Sequence, residues 1–244
     1  MDRRLFLLLT AGGLANAAGA AAQDIGKVLG GVLGGQGGLP AGLTNSQAEG
    51  GLREALIKGA VNAVLRVGRT DGYWRDDKIR IPLPGVLGKT QRTLTQLGMS
   101  RPLDDLQHRV NIAAETAAPE ARAMFVGAIR AMTVEDVVGV LRGGDTAGTT
   151  YLKGKTSPQL TGLFRPPMAS ALAATGALKS LDRVVANNSL AGALGRSPSA
   201  TLTDFAVGKA LDGLFFYVGE EERAIRTDPV KRTTDLLKKT FGGL

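Results

Sequence analysis

Cysteine is absent from the 244-residue sequence, and His108 is its only histidine. The first absence excludes disulfides, thiolate nucleophiles and cysteine-ligated metals. The second excludes a site built from several imidazoles, so an oxygen-only site for Ca²⁺ or Mg²⁺ is the one metal site that the composition permits. We predict neither a bound metal nor a cofactor.

Familiar catalytic and nucleotide-binding motifs are also missing. The sequence contains no Gly-x-Ser-x-Gly and no His-Glu-x-x-His, which are the signatures of a hydrolase nucleophile and of a zinc protease. The stretch LPGVLGKT ends like a phosphate-binding loop, but Leu83 stands where that loop requires a glycine. No catalytic residue is therefore predicted from a motif.

Acidic residues are fewer than basic ones. Lys and Arg number 30 against 22 Asp and Glu, which gives a net charge of +8 and favours anionic partners such as lipid headgroups or cell-wall polymers. Basic and aromatic residues are not interleaved in a patch that would indicate nucleic acid, so we expect none. The amides of a predicted helix start in GGDTAGTTYL are another place for an anion, although helix capping explains the same residues.

Long apolar runs are absent after residue 25, and the N-terminal one has the order of an export signal. Arg3 and Arg4 precede an apolar stretch over residues 5–18, and three alanines end at Ala22, before Gln23. A positive start, a short apolar segment and small residues at a cleavage point are typical of a signal peptide. The twin arginine resembles a Tat signal, and an ordinary Sec signal is the alternative.

The predicted signal peptide covers residues 1–22, and a Gly-rich, flexible leader is predicted over residues 23–45. The signal implies a periplasmic protein. The mature chain has no apolar run of membrane-spanning length, so we do not expect it to span the membrane.

Helical periodicity dominates the remaining chain. It predicts a single all-α domain over residues 46–244, with at most one short extended or β segment near residues 78–83. Pro158 and Pro166 are expected to open two separate helices by standing in their first turns. An Asp-Pro pair at Asp228 is expected to start a final short helix.

A polar ribbon follows one side of the helix predicted to begin near residue 103. Asp104, His108, Asn111 and Glu115 are spaced by four, three and four residues, which places them on one face. An Asp before a His, with a nearby carboxylate as proton acceptor, could perform acid–base chemistry. The alternative is a solvated helix face with i,i+4 pairs.

The C-terminal stretch YVGEEERAIRTDPVKRTTDLLKKTFGGL concentrates carboxylates and arginines. Glu221 and Glu222 flank a predicted apolar stripe, so at least one of them should be partly buried and should require a partner. Arg226 lies four residues after Glu222, and the Asp-Pro turn is expected to bring Arg232 back toward the glutamates. We interpret the group as a structural ion-pair cluster; the alternative is a site for polar groups or metal.

Several stretches, taken together, resemble a known family. They are GLREAL, DGYW…IRIPLPG, NIAAETAAPEA, MTVEDVVGVLRGGDTAGTTYL, FRPPM and ALDGLFFYVGEEERAIRTDP…R…LLKKTFG. Their succession resembles the exported bacterial proteins grouped as domain of unknown function 4197. The resemblance implies a helical, periplasmic or secreted domain and supplies no activity.

Three functions are therefore compared. The leading one is a non-catalytic protein that binds an anionic or amphiphilic envelope ligand, or an envelope partner, in a helical pocket. The alternatives are an enzyme that uses carboxylates and a scaffold that assembles with itself or with another envelope protein. The candidate ligand-binding residues are Asn111, Glu115, Tyr151, Glu221, Glu222, Arg226 and Arg232.

Overall fold

The computed structural model describes residues 45–174, 198–232 and 234–241. Within these ranges the chain forms α1 (Asn45–Val67), α2 (Gly85–Gln96), α3 (Arg101–Ala117), α4 (Ala121–Arg130), α5 (Val134–Arg142), α6 (Ala147–Ala173), α7 (Pro198–Thr227) and α8 (Asp235–Phe241). Short 3₁₀ turns follow α3 and α7, at Ala118–Glu120 and Pro229–Lys231. The predicted all-α fold is confirmed. The predicted signal peptide, and the predicted leader up to residue 44, lie outside the described residues.

The core lies where the three longest helices meet. α7 packs along both α6 and α1, while α4 lies against α1 and α6. α3 packs on α6, and the short α8 packs on α1. One continuous hydrophobic cluster joins these helices. None of the described helices is long and apolar enough to cross a membrane.

The segment between α1 and α2 is irregular. Residues 78–83, predicted as extended, contain no β-strand in the described chain. Ile79, Ile81 and Leu83 are buried, whereas Arg80 and Pro82 are exposed. The alternation that suggested a strand is therefore real, but the segment pairs with side chains of α3 rather than with another strand.

α6 contradicts the prediction that its prolines open separate helices. Pro158, Pro166 and Pro167 all lie inside one helix of 27 residues. Pro158 and Pro166 are exposed, so the carbonyl groups that they leave without an amide partner lie on the solvent side. The opposite face holds the helix together, because every fourth residue is buried: Leu152, Thr156, Leu160, Phe164, Met168 and Leu172.

The start of α5 follows its sequence signature. Thr133 Oγ1 accepts a hydrogen bond from the Asp136 amide at 3.2 Å, and Asp136 Oδ2 accepts one from the Thr133 amide at 2.9 Å. This reciprocal capping box fixes the start of the helix, and Gly143 ends it.

Candidate functional site

Glu222 is a buried carboxylate of α7, and it closes the N-terminus of α6. Its Oε1 accepts the Gly148 amide at 2.9 Å, and its Oε2 accepts the Thr149 amide at 2.7 Å and the Thr149 hydroxyl at 2.8 Å. Free amides and the helix dipole make this end of a helix a natural anion site. The anion that fills it is the protein's own side chain.

Arg226 completes this cluster and is nearly as buried as Glu222. Its Nε and Nη2 donate to Glu222 Oε1 at 3.1 and 3.0 Å, and Nη2 also donates to the Val140 carbonyl at 2.9 Å. The side chains of Arg226 and Glu222 are 9% and 6% exposed. The predicted packed pair is therefore present, and it ties the end of α5 and the start of α6 to α7.

Gly148 is required by this close approach. A Cβ atom at this position would lie 2.3 Å from Leu56 Cδ2 and 3.1 Å from Glu222 Oε1. A larger residue would displace the Leu56 side chain or the carboxylate, so glycine here is explained by space and not by backbone conformation.

The neighbouring charges of the C-terminal stretch have separate partners. Glu221 Oε2 accepts a hydrogen bond from Asn62 Nδ2 at 3.1 Å. Arg232 folds back, as predicted, but its guanidinium meets carbonyl groups: it donates to the Ile225 and Arg226 carbonyls at 3.0 and 2.6 Å. It therefore caps the C-terminus of α7 and does not join the glutamates.

Tyr151 contacts the capping carboxylate of α5. Its hydroxyl donates to Asp136 Oδ2 at 3.3 Å. Burial, and then the charge of Asp136, raises the pKa of Tyr151. The hydrogen bond from the Thr133 amide contributes most to lowering the pKa of Asp136. The pair thus prefers a neutral phenol beside a charged carboxylate, which is a stabilising arrangement and not a poised base.

Glu115 and Asn111 hold the irregular segment between α1 and α2. Glu115 accepts the amides of Asp71, Tyr73 and Trp74 at 3.0–3.1 Å. Both residues are buried. This part of the polar ribbon, which was predicted to be solvated or catalytic, therefore binds the backbone of a loop.

Asn111 binds the backbone of the same segment at Ile81, ten residues after Asp71. Its Oδ1 accepts the Ile81 amide at 2.8 Å, and its Nδ2 donates to the Ile81 carbonyl at 3.0 Å and to the Gln107 carbonyl at 2.8 Å. A side-chain amide thus supplies the hydrogen bonds to Ile81 that a neighbouring strand would give in a sheet. His108, from the same ribbon, lies against Trp74 with ring centroids 4.8 Å apart.

Tyr73 locks this segment to α7. Its hydroxyl donates to the Ala210 carbonyl at 2.7 Å, and its side chain is fully buried. Burial, followed by the nearby charge of Glu115, raises the pKa of Tyr73 well above its usual range.

Four of the seven predicted candidates thus form two groups, and the other three have separate partners, so the candidates do not share one pocket. Asn111 and Glu115 contact the segment after α1, while Glu222 and Arg226 contact the start of α6. Among the described residues, no hydrogen bond or ion pair joins the two groups. No set of three or more His, Asp or Glu side chains in the described part of the chain could hold a metal ion.

The space beside Glu222 is too small for a ligand. A cavity of about 10 Å³ lies between α1 and α7, lined mainly by apolar side chains such as Leu52, Leu56 and Val218. One water molecule needs about this much room and several polar partners. The cluster is therefore closed around itself.

A larger groove runs along the outside of α1 and α4, with a volume of about 400 Å³. Ile57 and Val61 of α1 and Ala123 and Val126 of α4 form its apolar floor. Leu65, four residues beyond Val61 and 64% exposed, lies on the same face of α1. The volume is within the range of small-molecule sites.

Positive charge lies on the rim of this groove. Arg122 and Arg130 are exposed there, and neither forms an ion pair with any described residue. Glu120 also lines the rim, and its negative charge reduces the net charge of these three residues to +1. Sequence reasoning missed these residues, although the spacing of Ile57, Val61 and Leu65 marked a second apolar stripe on α1.

By its structure the chain is an all-α domain. Its buried carboxylates accept hydrogen bonds from the start of a helix and from a loop. The family model described as "Protein of unknown function (DUF4197)" matches residues 42–242, and the chain belongs to this family. No curated protein and no solved structure matches it.

Proposed function

We propose that the chain is an exported, non-catalytic binding protein of the cell envelope that holds an anionic amphiphile in the groove between α1 and α4. The observation that carries the proposal is the combination of an apolar floor with two exposed guanidiniums, Arg122 and Arg130, that form no ion pair within the described part of the chain. An acyl chain would cover Ile57, Val61 and Val126, and a carboxylate or phosphate would meet the rim.

The carboxylates offer less support for an enzyme. Glu222 accepts five hydrogen bonds from groups of the protein, and Glu115 accepts three backbone amides. A carboxylate has about four acceptor positions, so all of those of Glu222 and three of those of Glu115 are already used within the protein. Export is supported by the Arg3-Arg4 start and the small residues before Gln23, which are typical of a signal peptide.

The test measures binding of laurate and of dodecanol, which share a chain length and differ in charge. We expect the protein to bind laurate, and Arg122→Gln combined with Arg130→Gln to weaken laurate about tenfold or more while leaving dodecanol unchanged. Arg142→Gln, an exposed arginine of α5, is the matched control and should bind laurate normally.

A second variant tests the floor of the groove. Val126→Asp places a charge where the acyl chain would lie, so it should weaken both ligands. The proposal fails if laurate does not bind, or if the groove variants bind it as well as the control does.

A further inference from the structure

The turn after α2 presents two large apolar side chains to solvent. Leu97 is 66% exposed and Met99 is 63% exposed. Gly98 between them has a φ of +69°, which glycine adopts without strain. Exposed side chains of this size, two residues apart at one tip, carry no packing role within the described structure.

The tip is well defined in its backbone. The Gly98 amide donates to the Thr95 carbonyl at 3.1 Å, and the Met99 amide donates to the Leu94 carbonyl at 2.8 Å. These two bonds form the Schellman pattern that ends a helix. The tip therefore displays Leu97 and Met99 on a fixed turn.

The base of α2 is anchored, so the tip is supported from behind. Gln91 Nε2 donates to Asp104 Oδ1 at 2.8 Å and to Gln107 Oε1 at 2.9 Å. Four residues before α2 begins, Ile81 is held by Asn111. The helix is thus an arm that α3 holds at its middle and just before its start, and its C-terminal end carries the apolar pair.

The charged residues of the segment that forms this arm are all basic, and the first carboxylates beyond it are Asp104, which Gln91 contacts, and Asp105. Residues 81–103 include Lys89, Arg92 and Arg101 and contain no Asp or Glu. All three cations are exposed, and none forms an ion pair with a described residue. Lys89 and Arg92 are three residues apart, so they share the solvent face of α2.

We infer that the tip of α2 docks on an anionic lipid surface. Leu97 and Met99 would enter the boundary between headgroups and acyl chains, while Arg92, Lys89 and Arg101 would meet lipid phosphates. At 1.5 Å per residue, Arg92 lies about 7.5 Å along the helix from Leu97. That distance matches the depth of about 5–10 Å over which interfacial elements are buried.

The size of the patch favours a bilayer over a protein partner. A stable protein interface buries about 800 Å² on each side, and two side chains at a narrow tip cannot supply that area. A bilayer accepts a small apolar insertion, and each nearby cation strengthens its binding to an anionic surface about fivefold.

The test is cosedimentation of the purified protein with vesicles of phosphatidylglycerol and phosphatidylcholine, compared with vesicles of phosphatidylcholine alone. We expect binding to the anionic vesicles that falls as salt is added. Combining Leu97→Gln with Met99→Gln should reduce it more than tenfold, and Arg92→Gln about fivefold. Val230→Gln, at an apolar residue that is 83% exposed elsewhere, is the matched control and should bind normally.

The groove is tested separately, because Arg122→Gln with Arg130→Gln should leave vesicle binding intact. Circular dichroism of each variant verifies folding, and the tip side chains are exposed, so their loss should not disturb it. No binding to anionic vesicles, equal binding to both kinds of vesicle, or an equal loss in the Val230→Gln control would each overturn the inference.

Discussion

Glu222 and Glu115 are buried carboxylates whose oxygens accept backbone hydrogen bonds, and this use determines what a substitution at either position does. Each one satisfies amides that would otherwise be buried without an acceptor. Removing either side chain therefore leaves amides without an acceptor in another element, at the start of α6 or in the segment after α1. The consequences are structural at both positions.

Glu222→Ala should destabilise the protein strongly. It leaves the Arg226 guanidinium buried without its counter-ion, and it strips two amides at the start of α6. Breaking a buried pair from one side costs about 3–5 kcal/mol, which denaturant unfolding would measure. Glu220→Ala, in the same run of glutamates but exposed and paired with Arg223, should cost under about 1 kcal/mol.

The double variant separates the pair from the helix cap. Arg226→Met in the Glu222→Ala background removes the unpaired charge, so the two changes together should cost less than the sum of the singles. Strict additivity, or a loss for Glu222→Ala no larger than for Glu220→Ala, would show that the cluster does not stabilise the fold.

Asp136 predicts a pH dependence. Its pKa lies below its usual range, mainly because of the Thr133 amide, so the charged form stabilises the folded state. That contribution is complete above the pKa of an unfolded carboxyl, about 3.9, and is lost as pH falls through the lower folded value. The gap in melting temperature between the natural protein and Asp136→Asn should be widest near pH 7 and should close below pH 4. A gap that does not change with pH would contradict this.

Residue spacing reveals only part of the Glu222 cluster. The Glu222–Arg226 pair follows from i,i+4 geometry and could be predicted. Gly148 and Thr149 lie 74 and 73 residues from Glu222 in the chain, and no local pattern links them. The amides of that helix start were a recognisable anion site, but the sequence does not say which anion fills it.

Among the helices, α6 shows tertiary packing overriding local propensity. A proline in the interior of a helix is about 3 kcal/mol less favourable than alanine, and Pro158 and Pro166 were therefore expected to mark two helix starts. The buried face with a period of four continues through all of them, because the prolines stand on other faces.

Pro158→Ala should therefore stabilise the protein. The new amide can bond to the Gly154 carbonyl, and the exposed methyl group meets no neighbour, so we expect a gain of up to about 3 kcal/mol in unfolding free energy. Lys155→Ala, at an exposed position one turn earlier, controls for a general effect of alanine. A loss of stability would mean that a bend at Pro158 is needed for packing.

The segment between α1 and α2 gives a prediction for dynamics. In Glu115→Gln, an amide group replaces one of the oxygens that accept from Asp71, Tyr73 and Trp74. We expect these amides to exchange with deuterium faster, while amides within α6 keep their protection. Unchanged exchange at all three amides would show that the carboxylate does not hold the segment.

The periodicity of α3 showed that Asn111 and Glu115 share a face, but it could not show what covers that face. The irregular segment contributes backbone donors, which have no sequence signature. A ribbon of polar residues therefore looks the same whether it faces water, a substrate or a loop.

At the scale of the whole molecule, the signal peptide predicted over residues 1–22 leads us to expect export. The mature protein should begin at Gln23, which N-terminal sequencing of a periplasmic fraction would establish. Replacing Arg3 and Arg4 by lysine should stop export through a Tat route and spare a Sec route. An intact Met1 on a cytoplasmic protein would contradict the prediction.

The all-α class was predictable because capped, periodic segments recur along most of the chain. The arrangement of helices was not, because it depends on which apolar stripes meet. α1 illustrates this: Leu52 and Leu56 face the core, while Ile57 and Val61 face the groove. Sequence periodicity shows two stripes without assigning either one.

The hydrogen bond between Glu222 and Gly148 also affects when the start of α6 can be completed during synthesis of the chain. At 5–20 residues per second, a ribosome completes Glu222 about 4–15 s after Gly148. Until then, the first turn of α6 has no carboxylate to receive its amides. A polypeptide cut short by a nonsense codon after Ala173 and before Glu222 contains all of α6 but lacks this partner. The start of α6 is therefore completed only after most of α7 has been synthesised.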